Sequence, residues 1–118
     1  MHTLFSKIIA YKITDLLFGV RIEEICRESS ASYARADSPD ELIQILKGQK
    51  RSFLLICDLV SIRGDLESIK KIASENNCAV LGYYPHVDKE TESLARSLGI
   101  EYVTPRSAFQ MKLKSLLT

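Results

Sequence analysis

The stretch "SFLLICDLV" (Ser52 to Val60) runs five apolar residues, Phe53 to Cys57, straight into Asp58. A continuous apolar run of this length predicts a strand covered on both faces, as at the centre of a parallel sheet. Shorter apolar runs in "LFSKIIAYKI" (Leu4 to Ile13), "SASYARA", "CAVLGYY" and "EYVTP" predict four more strands. Between them the apolar spacing lengthens to that of a helix. "TDLLFGVRIEEICRE" sets Leu17, Val20, Ile25 and Cys26 near helical spacing behind Thr14 or Asp15, either of which can cap the first turn. "DSPDELIQILKG" carries Ser38 as N-cap, Pro39 at the first helical position, Glu41 three residues after the cap and Gly48 at the end. "GDLESIKKIASENN" places Leu66, Ile69, Ile72 and Ala73 on one face. "DKETESLARSLG" predicts a helix capped by Asp88 and ending at Gly99, and "SAFQMKLKSLL" predicts the closing helix.

Five strands alternating with five helices through short connections predict an α/β domain with a parallel sheet over residues 1–118. Crossover handedness and chain length favour a single three-layer, doubly wound, flavodoxin-like sheet in the order 2-1-3-4-5. In such sheets the functional crevice lies outside the carboxyl ends of the strands, beside the switch point between strands one and three. Asp15, Asp58, His86 and Arg106 each follow a strand and are therefore expected along one edge.

Composition narrows the partners. A formal net charge of +1 gives no global field to draw in nucleic acid or an anionic membrane. The basic stretch "KGQKRS" (Lys47 to Ser52) is short and lacks interleaved aromatics, so it reads as a solvated turn. No apolar run approaches the ~20 residues that span a bilayer, and "MHTLFSKIIAYK" does not read as a signal peptide. Cys26, Cys57 and Cys78 stand singly in apolar contexts, without the close pairing of a zinc or redox motif. They read as small, reduced, buried side chains, and the chain as cytoplasmic. No glycine-rich dinucleotide or Walker motif follows the first strand.

In the order and spacing of its elements the whole chain resembles the receiver domain of bacterial response regulators, chemotaxis type. Asp58 stands at the position of that family's phosphoacceptor, and Pro105 in "YVTPR" matches the proline after strand five. The resemblance implies a magnesium ion held by two acids after strand one, a Ser or Thr ending strand four, and a Lys before a cis-proline ending strand five. The chain departs from this pattern in three places. Thr104 stands where the lysine would be, and Tyr84 stands at the Ser/Thr position. Among Tyr11, Lys12, Ile13, Thr14 and Asp15 there is a single acid. Since phosphoryl transfer to a carboxylate relies on the metal and a cation to hold the transferred charge, these departures imply a pseudo-receiver. Asp15 and Asp58 would then bind magnesium weakly, if at all, with no other cofactor and no enzymatic activity. The chain is also similar to a looser group of receiver-like single-domain proteins through "DLLF" (Asp15 to Phe18), "HVD" (His86 to Asp88) and "PRSAF" (Pro105 to Phe109).

The crevice residues have two readings each. Asp58 is a phosphoacceptor or anion-switch residue, or a carboxylate accepting N–H bonds from its own loop. Asp15 is a helix cap or a metal ligand. His86 orients Asp58 or Asp15 by a hydrogen bond, or acts as a base. Arg106 forms a salt bridge to Asp58 or Asp15, or holds a bound anion. Its pairing with Asp58, assisted by His86, would lock the domain in one state. Of Tyr83 and Tyr84, one is expected in the core and the other at the crevice rim. The implied work is contact with other proteins, or with a second copy, through the face formed by helix four, strand five and helix five. The alternatives are a genuine phosphoacceptor and, more remotely, a small enzyme acting on an anionic substrate at Asp15, Asp58, His86 and Arg106.

Overall fold

A computed structural model describes residues 5–47 and 52–117. Its strands are β1 (Lys7–Tyr11), β2 (Ser32–Ala36), β3 (Phe53–Asp58), β4 (Cys78–Tyr84) and β5 (Tyr102–Pro105). The helices are α1 (Leu16–Glu28), α2 (Pro39–Leu46), α3 (Leu66–Glu75), α4 (Lys89–Ser97) and α5 (Phe109–Leu117). Short 3-10 turns at Arg63–Asp65 and Arg106–Ala108 lead into α3 and α5. All strand pairs are parallel, in the order β2-β1-β3-β4-β5, which is the expected doubly wound sheet.

The apolar run of β3 sits at the centre because it has to be covered on both faces. Phe53, Leu55 and Cys57 face a core built with α2, α3 and α4, through Leu42, Leu46, Leu66, Ile69 and Ala95. Leu54 and Ile56 face a second core shared with α1 and α5, through Phe18, Ile22, Ile25, Phe109 and Leu113.

The caps fall where the sequence places them. Ser38 Oγ accepts from Glu41 N at 3.1 Å, and Asp88 Oδ1 accepts from Thr91 N at 3.0 Å. Gly99 follows α4 at φ +81°, a left-handed conformation that glycine adopts without steric cost. Leu4, Gly48 and most of "KGQKRS" lie outside the described residues.

The buried face of α1 differs from expectation. Leu17 is 84% exposed and Val20 53%, while Phe18, Ile22, Ile25 and Cys26 are buried. The cap at Asp15 sets the phase of the helix, and steps of four and three from Phe18 reach Ile22, Ile25 and Cys26. Leu17 and Val20 are rotated off that stripe.

Gly82 has a steric role in β4. A Cβ there would come within 2.6 Å of Cγ of the fully buried Leu59, whose own N–H extends the β3–β4 pairing to Tyr83 O at 3.0 Å. Gly82→Ala should therefore cost about 1–3 kcal/mol by overpacking. Gly82→Ala combined with Leu59→Ala should recover part of that overpacking penalty in urea unfolding, whereas strictly additive losses would show that the two positions do not touch.

Candidate functional site

Asp58 ends β3 at the carboxyl edge of the sheet, half-buried, with Tyr83 beside it in register. Its Oδ1 accepts from Val60 N at 3.0 Å and Ser61 N at 3.4 Å, and its carbonyl accepts from Ile62 N at 3.2 Å. The carboxylate thus organises the turn that carries the chain into the 3-10 segment before α3.

Asp15 caps α1 with one oxygen and pairs with the other. Oδ1 accepts from Phe18 N at 3.1 Å, and Oδ2 accepts from Arg106 Nη2 at 2.6 Å. Arg106 begins the 3-10 turn after β5, so this pair ties the start of α1 to the entry of α5, 91 residues away in sequence. The guanidinium carbon lies 4.7 Å from the Phe18 ring centroid and 5.9 Å from that of Tyr83. Beneath it, Phe18, Tyr83 and Phe109 pack together with centroid separations of 4.6, 4.9 and 5.2 Å. An arginine over aromatic faces keeps its charge while its plane stays in contact with apolar surface.

These partners shift the titrations. The Phe18 N–H, then the Arg106 hydrogen bond, hold the Asp15 carboxyl below its usual value near 3.8. Burial, then the Asp58 charge, push the Tyr83 phenol up. A carboxyl lowered on folding adds stability that is fully present above its unfolded pKa and is lost as the pH falls through the folded one. Asp15→Asn keeps a competent cap and removes the charge. The variant should unfold at lower urea than the parent at pH 7, with the gap closing toward pH 3. A gap of equal size at both pH values would contradict the assignment.

The structure separates the expected crevice residues. Asp15 and Arg106 come together, but Arg106 pairs with Asp15 and not with Asp58, whose Oδ1 is already satisfied by its own loop. The expected Asp58–Arg106 lock is therefore absent. His86 is exposed and makes no hydrogen bond to Asp58 or Asp15, because the turn closed by Asp88 N on Pro85 O at 2.9 Å carries it at the tip.

Both tyrosines are buried, correcting the expected split. Strand alternation puts Tyr84 in the core facing α2 to α4 and leaves Tyr83 on the side of α1, α5 and Arg106. Thr104 is buried beside Tyr83, its hydroxyl donating to Pro105 O at 3.3 Å, and the peptide between them is trans. Lys12 adopts φ +50° after β1, and its ammonium lies 5.8 Å from the Tyr11 ring centroid. Phe18 was not singled out from the sequence as a site residue, and Tyr83 was named there only as one of two candidates for the crevice rim. Phe18 lies three residues after the cap, and Tyr83 follows from the strand register once β3 and β4 are aligned.

Asp15 has both carboxylate oxygens engaged and a guanidinium 2.6 Å away, a donor set poorly suited to magnesium. Among the described residues no group of three or more His, Cys, Asp or Glu side chains is gathered as a metal site.

No family model and no curated protein matches the chain. Among solved structures, it is similar to a response regulator from Thermotoga maritima, with a TM-score of 0.75 and 14% sequence identity, covering 96% of this chain and 98% of that one. Together with the sheet order, that likeness gives the chain the fold of a receiver domain, the architecture expected from the order and spacing of its strands and helices.

Proposed function

We propose that the chain is a cytoplasmic receiver-like regulatory module that acts through contact with other proteins, is not an enzyme, and has a degraded phosphorylation switch. The observation that carries this reading is the 2.6 Å pair between Arg106 and Asp15. The cation nearest in sequence to the missing lysine position is neutralised by the acid that would otherwise help hold a metal. Asp58 spends one oxygen on two loop N–H groups, so Oδ1 is engaged within its own turn without a ligand. Magnesium should accordingly bind only beyond the millimolar range. Calorimetric titration checks this: tight, saturable binding that Asp58→Asn abolishes would overturn the reading.

The contact surface is the face of α4, β5 and α5, with a homodimer as one such contact, and no role for nucleic acid, membrane or bound cofactor. Met111 is 79% exposed there. With Thr104, Ala108, Lys112 and Ser115 it lines a shallow groove of about 310 Å³. Mixed charge around an apolar centre suits a reversible interface. For the homodimer, sedimentation equilibrium should show self-association that Met111→Asp abolishes while the fold is kept. A monomer at every concentration removes that arm.

The second reading is a genuine phosphoacceptor at Asp58. It is favoured by Oδ2, which takes neither of the loop N–H bonds, and by the partial solvent exposure of the side chain.

A further inference from the structure

The Asp15–Arg106 pair closes one end of a groove of about 380 Å³ between α1 and α5, lined also by Phe18, Arg21, Glu24 and Gln110. Two guanidiniums line this groove, Arg106 paired to the cap residue Asp15 and Arg21 to Glu24 of α1. Arg106 holds Asp15 tightly at 2.6 Å, whereas Arg21 meets Glu24 only at 3.9 Å, both side chains being well exposed. We propose that this groove is a binding site for a small phosphate-class oxyanion, held between Arg106 and Arg21, with Asp15 as its built-in competitor.

The chemistry follows from the contacts. A guanidinium presents a planar fork of donors that matches a tetrahedral oxyanion in two-point contact. Arg106 rests on Phe18 and Tyr83, so it can turn from Asp15 toward the groove while its plane stays over aromatic surface. Asp15 tolerates the departure because its cap bond uses the other oxygen. The Gln110 amide adds a neutral donor on the α5 wall. The site lies between two helices, and Asp58 is not among its lining residues. Anion binding in this groove therefore does not depend on whether Asp58 accepts a phosphoryl group.

The probe is inorganic phosphate, titrated at constant ionic strength into the isotopically labelled full chain, with arginine side-chain and backbone amide resonances followed. The expected result is saturable shifts at Arg21, Arg106 and Phe18. Asp15→Asn, which keeps the helix cap, should tighten binding roughly two- to fivefold, the scale on which an exposed ion pair competes. Arg106→Gln should abolish the shifts, Arg21→Gln should weaken binding, and Asp58→Asn should leave affinity unchanged. The proposal is overturned if chloride at matched ionic strength reproduces the shifts, or if Asp15→Asn leaves affinity the same or lower. Loss of binding in Asp58→Asn would also overturn it, by moving the anion to the strand-edge crevice.

Discussion

Phe109→Ala is expected to lower the stability of the chain by about 3–5 kcal/mol, read from urea unfolding. Phe109 is buried at the first position of α5, with its ring 4.9 Å from Phe18 and 5.2 Å from Tyr83, centroid to centroid. Truncation leaves a cavity at the point where α1, β4 and α5 meet, and the two remaining rings lose their shared partner. The platform beneath Arg106 should loosen with it. Phe109→Leu keeps most of the volume and should cost clearly less than the alanine variant. A loss below about 1 kcal/mol for Phe109→Ala would mean that α5 does not seal this core, and that the aromatic support assigned to Arg106 is wrong.

The second large effect is expected at Ile56. It is fully buried on the central strand, which pairs with β1 on one side and β4 on the other, and it faces α1 and α5. Ile56→Ala should cost about 2–5 kcal/mol, because neighbours held by strands on both sides cannot close the cavity. A loss of less than about 1 kcal/mol would contradict the central position of β3 and the sheet order that depends on it.

The fold was legible because its signals are local or periodic. Phe53 to Cys57 announce a strand buried on both faces, and Ser38, Pro39, Asp88 and Gly99 mark helix ends through backbone chemistry that acts within a turn. The face of α1 was not legible. Leu17 and Val20 are as apolar as the residues that the helix buries, and only the phase set by packing against the sheet distinguishes them.

The site was legible as a place and not as a set of contacts. Strand ends put Asp15, Asp58 and Arg106 along one edge, but the choice of partner for Arg106 depends on distances set by several elements at once. Asp58 had a local competitor for its charge in the N–H groups of Val60 and Ser61, and that competitor captured Oδ1. His86 could have faced the crevice or solvent on sequence grounds; the Pro85–Asp88 turn decides for solvent. Tyr83 and Tyr84 differ by a single step of strand alternation, and the side each takes depends on the register of β4 against β3.

Under the proposed function the receiver fold is kept while its phosphorylation switch is degraded. The most direct measurement is the intact mass of the protein after incubation with a small acyl phosphate donor and magnesium. An unchanged mass is expected for the parent chain and for Asp58→Asn alike. A stoichiometric gain of one phosphoryl group in the parent, absent in Asp58→Asn, would contradict it and make Asp58 a working phosphoacceptor.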